Sequence, residues 1–286
     1  MEGNHAPFGA DSLLPQEMAE KAEQIGAAKT RLPVLRLLTL AVLAGAFIAF
    51  GALFSVIAVA GSDGNLPFGV SRVLAGLTFS LGLILVVVGG AELFTGNNLM
   101  VMAWARGKIG LGDMLRAWGV VYLGNFIGAA ATAIMVFLSG VHGNGDAAVG
   151  AAALSIAGSK AALPFFPALM RGILGNVLVC LAVWLCFSAR TTSDKILCIA
   201  PPIAAFVAAG FEHCVANMFI LPYGLLIKTW AGQSFWTAIQ QSPASYEALT
   251  WGALAANLAP LTLGNVIGGG VLVGAVYWFV YLRHRG

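Results

Sequence analysis

Two eight-residue stretches share the pattern Gly-x-Glu-x-x-x-x-Asn and hold most of the side chains able to do chemistry: Gly90-Ala91-Glu92-Leu93-Phe94-Thr95-Gly96-Asn97 and Gly210-Phe211-Glu212-His213-Cys214-Val215-Ala216-Asn217. Each places a carboxyl group inside a run that is otherwise apolar. A carboxyl group at hydrocarbon depth is costly and is rarely placed there without a task. A carboxylate can accept hydrogen bonds from the N–H groups freed at a bend, so Glu92 and Glu212 are read as holding two helix breaks in shape, with Asn97, Asn98 and Asn217 capping beside them. His213 is the histidine inside an apolar span, and with an unperturbed pKa of about 6.5 its surroundings decide its charge. The Thr95 hydroxyl can donate to an anion, accept from an imidazole, or cap the segment that follows. Free N–H groups at half-helix N-termini also suit anions.

The elements that must position these residues are membrane spans. The chain is 59% hydrophobic and 9% charged, far below the roughly 25% charged residues of a soluble domain. It therefore reads as an all-α integral membrane protein. A spanning helix needs about 20 apolar residues, and six candidates meet this: 34–60, 68–106 with a break, 114–140, 165–189, 196–227 with a break, and 256–282. The second and fifth contain the two motifs and read as half-helices joined by irregular backbone, with the breaks expected at similar depth. Such backbone is tolerated at membrane depth only where it lines a cavity or is buried in protein. Two interruptions in corresponding places point to a midplane transport site.

A second pair of matching segments, Gly124-Asn125-Phe126-Ile127-Gly128 and Gly264-Asn265-Val266-Ile267-Gly268, follows the first pair in the same order. Three spans per half is an odd number, so the halves form an inverted repeat. Lys21, Lys29, Arg31, Arg36, Arg106, Lys108, Arg116, Arg190, Lys195, Arg283 and Arg285 fall on one side, against Arg72, Lys160, Arg171 and Lys228 on the other. Both termini are therefore expected in the cytoplasm. The chain divides into an N-terminal amphipathic segment, 1–32, and a six-span domain, 33–286. Within the former, Leu14, Met18, Ala22 and Ile25 recur at helical spacing among Glu17, Glu20, Lys21 and Glu23, a pattern for a helix that docks on the spans or plugs them. Residues 142–163 read as an external loop rich in Gly and Ala, and His5, His142 and His284 as solvated. No apolar run precedes Arg36, so no cleavable signal peptide is expected and the first span is expected to act as the insertion signal.

Several function classes drop out. A formal charge of +3 is too small to suggest nucleic acid. Cys180, Cys186, Cys198 and Cys214 lack metal-ligand spacing and read as small buried hydrophobes. Nucleophile elbow, P-loop, zincin and Cys-x-x-Cys motifs do not occur. Neither an enzyme nor a metal or other cofactor is expected. What remains is passive or ion-coupled movement of a small solute.

Four segments together resemble the formate/nitrite transporter family: Gly-Ala-Glu-Leu-Phe-Thr-Gly-Asn-Asn (90–98), Gly-Asn-Val-Leu-Val-Cys-Leu-Ala-Val-Trp (175–184), Gly-Phe-Glu-His-Cys-Val-Ala-Asn-Met-Phe (210–219) and Gly-Asn-Val-Ile-Gly-Gly-Gly (264–270). The stretches 78–85 and 201–213 are most similar to the formate-channel branch, whereas Thr-Gly-Asn-Asn after Phe94 is a more generic family pattern. The resemblance implies an aquaporin-like six-span bundle, a homopentamer with one pore per protomer in a bacterial inner membrane, and passage of small monovalent anions: formate first, with nitrite or hydrosulfide as alternatives. It implies that Thr95 faces His213, with Lys160 at the external mouth and Asn176 as a polar neighbour. It also implies apolar constrictions at Phe79, Leu83, Leu93, Val179 and Phe206. Phe79 and Phe206 are expected on either side of the pseudo-twofold axis, with the polar pair between them. Charge compensation would come from protonated His213 with Thr95, or a proton from His213 would let neutral acid cross. A channel for a neutral solute, water or ammonia, is the rival reading.

Overall fold

The computed structural model describes residues 12–62 and 65–283, and every regular element among them is helical. In order these are α1 (Pro15–Thr30), α2 (Val34–Val59), α3 (Phe68–Gly89), α4 (Phe94–Asn97), a 3-10 turn (Asn98–Met100), α5 (Val101–Ala105), α6 (Leu111–Leu138), α7 (Ala148–Ala161), α8 (Phe165–Ser188), α9 (Thr192–Ala208), α10 (Cys214–Trp230), α11 (Gln233–Ala238), α12 (Trp251–Val266), a π-helical stretch (Ile267–Ala275) and α13 (Val276–Tyr281). Helices α2, α3, α6, α8 and the run ending in α13 are each long and apolar enough to cross a membrane. The fifth crossing is shared by α9 and α10, of 17 residues each, about 26 Å apiece and too short to span alone.

Both expected breaks are present. Helix α3 ends at Gly90 (φ +80°) and α9 runs out at Gly210 (φ +72°). Both are left-handed conformations that glycine adopts without a Cβ penalty, which is why each motif begins with that residue. After the first break the chain does not resume as one half-helix but as α4, the 3-10 turn and α5, three short pieces. The breaks occupy equivalent places in the two halves. The Glu92 N–H donates to the carbonyl of Leu40, seventh residue of α2, and the Glu212 N–H to that of Arg171, seventh of α8, both at 3.2 Å. Helices α2 and α8 start on opposite faces, so the breaks lie at mirrored positions, each about 10 Å in from its own side.

The second shared motif explains how the three helices of each half hold together. Helix α6 crosses α2 so closely that a Cβ on Gly128 would lie 2.0 Å from the Val42 carbonyl oxygen. The last crossing meets α8 in the same way, with Gly268 2.1 Å from the Ile173 carbonyl oxygen. Small residues allow this approach in a bilayer, where packing rather than hydrophobicity drives association. The halves meet at Tyr122 and Thr262, which stand at equivalent places three residues before Asn125 and Asn265. Their hydroxyls are 2.9 Å apart, so the pseudo-twofold axis passes between them.

Three sequence expectations need correction. Residues 148–161 of the expected external loop form α7. Arg116 lies inside α6, not between spans, and donates to the Thr30 carbonyl (2.6 Å) at the negative end of α1. Glu23 is not on a solvated face: it is buried, 3.3 Å from Arg106 Nε. Helix α1 does dock, burying Met18, Ala19 and Ala22, while Leu14 points outward.

Gly128→Ala and Gly268→Ala should each cost at least about 1–3 kcal/mol through forced helix separation, read as a lower thermal midpoint of the purified protein. Gly69→Ala, where nothing lies within 4 Å, should leave that midpoint unchanged or raise it.

Candidate functional site

A helix break at membrane depth leaves N–H and C=O groups that water cannot reach. One asparagine satisfies each break. Asn125 Oδ1 accepts from the Phe94 N–H (2.9 Å), while its Nδ2 donates to the carbonyls of Glu92 (2.9 Å) and Ala41 (2.7 Å). Asn265 repeats this, accepting from the Cys214 N–H (2.9 Å) and donating to the carbonyls of Glu212 (3.1 Å) and Gly172 (2.7 Å). These two residues were missed as site-shaping groups, although their repeated Gly-Asn-x-Ile-Gly context was visible. Accepting from the freed backbone N–H groups, expected of Glu92 and Glu212, is therefore done by these asparagines.

The two carboxylates bond side chains instead. Glu92 Oε2 accepts from Asn97 Nδ2 (2.8 Å) and pairs with Lys29 Nζ of α1 (3.0 Å). Glu212 Oε2 accepts from Asn217 Nδ2 (2.8 Å) and pairs with Lys160 Nζ of α7 (2.7 Å). The five-residue spacing of Glu and Asn thus closes each motif on itself, and a lysine from the preceding peripheral helix neutralises it. Lys160 lines a cavity with its charge paired to Glu212.

Between the breaks, Thr95 Oγ1 lies 2.7 Å from His213 Nε2, and both residues are buried. His213 is also the N-cap of α10, its Nδ1 accepting from the Ala216 N–H at 3.1 Å. With Nδ1 an acceptor, the proton of the neutral ring sits on Nε2 and is directed at Thr95 Oγ1. The threonine hydroxyl hydrogen is then free to donate elsewhere. A second proton on the ring would set an Nδ1–H against the Ala216 N–H, so the imidazolium expected from sequence requires this cap to open.

Two cavities approach the pair from opposite sides, one beside α7, termed outer, and one beside α1, termed inner. The outer one, about 1090 Å³, is lined by Phe79, Phe206, His213, Lys160, Glu212, Arg72 and Arg171 among others. The inner one, about 520 Å³, reaches Leu83, Val86, Leu93 and Gly96. Thr95 lines neither and stands in the wall that separates them. Phe79 and Phe206 are in contact, with centroids 5.9 Å apart, and the Phe206 ring meets His213 edge-on at 6.3 Å. They line the same cavity side by side, so the polar pair lies beyond them rather than between them. Arg72 of α3 donates to the Val207 carbonyl, clamping the two helices that carry these rings.

Asn176 and Val179 line neither cavity. The Asn176 Nδ2 faces the carbonyls of Thr95 (3.3 Å) and Asn265 (2.6 Å) and the Asn98 Oδ1 (2.8 Å), which makes it a brace behind the site. Val179 is buried in the core beside it on α8. His142 is stacked on Phe137 at 5.0 Å rather than solvated, and burial lowers its pKa. His5 and His284 lie outside the described residues.

The family model described as formate/nitrite transporter matches residues 16–279. The chain belongs to the formate/nitrite transporter family. It is accordingly a multi-pass membrane protein of a transporter family, not an enzyme. It is 43% identical over 280 residues to the formate channel FocA of Escherichia coli K12, covering 98% of this chain and 97% of that one. It is 38% identical over 278 residues to FocB of the same organism, covering 96% and 97%. Among solved structures it matches a pentameric formate channel with formate bound, at TM-score 0.83 and 41% identity, over 87% of this chain and 98% of that one. An FNT family ion channel matches at TM-score 0.78 and 28% identity, over 92% and 98%.

Asn265→Ala should leave the Cys214 N–H and the Glu212 carbonyl without the side-chain partner that serves them, at about 1–3 kcal/mol for each stranded group. A large fall in thermal midpoint is expected, together with loss of transport by the protein that still folds.

Proposed function

We propose that the chain is a channel for formate, acting as a homopentamer in a bacterial inner membrane with both termini cytoplasmic. The observation that carries this reading is the Thr95–His213 contact placed in the wall between two cavities. The relatives named formate channels and the formate-bound structure support formate ahead of nitrite and hydrosulfide. Residues 33–286 form the channel domain, with 1–32 as an appended cytoplasmic segment.

An anion in the outer cavity must shed water at Phe79 and Phe206, where hydrocarbon replaces its hydration at a cost of several kcal/mol. The Thr95 hydroxyl offsets part of that cost by donating to the anion. His213 strengthens the donor by bonding its oxygen from behind, since bonds in such a chain polarise one another. A neutral His213 provides a hydrogen bond but no proton. Proton transfer to formate needs an imidazolium, and therefore release of the Ala216 cap. Leu83 and Leu93 then form the inner apolar passage. The Lys160–Glu212 and Lys29–Glu92 pairs keep the flanking breaks neutral overall.

Anion currents across a reconstituted bilayer, set against osmotic swelling rates, test this reading. A panel of formate, nitrite, hydrosulfide, lactate and chloride identifies the substrate. Swelling without anion current would instead favour the neutral-solute channel.

His213→Asn should fold and assemble, because asparagine is also a good N-cap. It cannot titrate in this range, so its formate flux should lose the pH dependence of the wild type. An unchanged profile, measured across pH 5–8, would make His213 a purely structural cap. Phe79→Ala and Phe206→Ala should each raise formate flux per folded pentamer and lower selectivity against lactate, because water can then accompany the ion. Unchanged formate-to-lactate ratios would remove both rings from the pathway.

A further inference from the structure

The inner cavity carries a charge pattern that formate passage does not use. Its lining holds four cations, Lys21, Lys29, Arg190 and Lys195, and one carboxylate, Glu92. Glu92 is already engaged by Lys29 and Asn97. The nearest acid in sequence, Asp194, accepts from the backbone N–H groups of Thr191 (2.9 Å) and Arg190 (3.2 Å), holding the turn that presents its two basic neighbours. Lys21 is fixed by donating to the Phe187 carbonyl (2.8 Å), so it cannot swing away from them. Three positive side chains from two separate parts of the chain therefore line one cavity, and among the described residues its lining holds no carboxylate besides Glu92. Their mutual repulsion is felt: the Lys21 ammonium is held below the usual lysine range, by burial first and then by Lys195 and Arg190.

We propose that Lys21, Arg190 and Lys195 form a binding site for a phosphate group carrying two or more negative charges, and that its occupancy closes the inner end of the pathway. Like charges held together are stabilised by an anion of matching charge, and the attraction scales with the product of charges. A monovalent carboxylate is held weakly and passes. A polyphosphate engages all three groups through charge-assisted hydrogen bonds. Leu83 and Leu93 line the same cavity as the three cations, so an anion held there occupies the space through which formate must pass. The binding half of this proposal is independent of the formate reading, and the closing half rests on it. The phosphate could be a soluble cytosolic one or an anionic lipid headgroup reaching Arg190 at the rim.

The test uses the full-length protein with sodium tripolyphosphate as the probe. In phosphate-free detergent, calorimetry and thermal unfolding should show saturable binding that sodium chloride at matched ionic strength does not reproduce. Arg190→Gln combined with Lys195→Gln should weaken it on the order of tenfold or more, while Lys195→Arg should retain it. Binding no stronger than chloride, or equal binding by the double variant, overturns the site. Nanodiscs of phosphatidylcholine with and without phosphatidic acid, whose phosphomonoester can carry two charges, separate the two sources: competition by phosphatidic acid identifies the headgroup as occupant, and its absence identifies the soluble anion. In phosphatidylcholine vesicles, tripolyphosphate on the α1 face should reduce formate flux several-fold in the wild type and much less in the double variant. Binding with unaltered flux overturns the closing role. Binding by a chain that conducts no formate would defeat the formate reading and leave the phosphate site standing.

Discussion

The constraint on which this structure depends is that a broken helix in a membrane must find partners for its backbone without water. Asn125 and Asn265 supply them, each tying three segments together with one amide. The amide is suited to this because it accepts and donates at once and carries no charge that would need compensation. Both asparagines sit within the glycine motif where α6 meets α2 and the last crossing meets α8. The glycines bring the helices close enough for a short side chain to reach the break, so helix packing and break geometry form a single unit.

The two halves share this scaffold but not the site built upon it. Counted from the glutamates of the repeated motif, His213 stands where the first half has Leu93, and Thr95 where the second half has Val215. Phe206, four residues before Gly210, corresponds to Val86, which lines the inner cavity. Residues that repeat hold the backbone, while residues that differ meet at the wall between the cavities. A symmetric frame therefore carries two unlike cavities, one bearing Phe79 and Phe206 and the other Leu83, Val86 and Leu93.

Much of this was legible in the sequence, for local reasons. Six crossings follow from apolarity over about 20 residues, and the breaks from Gly and Glu within such runs, since these are properties of a single segment. The Thr95–His213 pair was reached through family resemblance, not from spacing. What could not be read depends on which helices cross. Glu92 and Glu212 advertise a need for partners, but Lys29 and Lys160 lie 63 and 52 positions away in sequence and become partners only through the docking of α1 and α7. Phe79 and Phe206 looked like members of two constrictions because each lies in its own half, and the contact between α3 and α9 unites them. Helix α7 resembled a loop because its Gly- and Ala-rich sequence lacks a clear polar face.

The pairing of Lys29 with Glu92 gives α1 a standing that its position at the edge of the bundle conceals. A peripheral helix is ordinarily treated as a detachable appendage. This one holds the counter-ion of a carboxylate buried in the first break, as α7 does for the second. The membrane domain is therefore not electrically self-contained when cut at the boundary that hydropathy suggests. A chain beginning at the first span would keep every apolar contact within its spans and still carry an uncompensated negative charge beside Thr95. The electroneutral unit of this fold is four helices per half, not three.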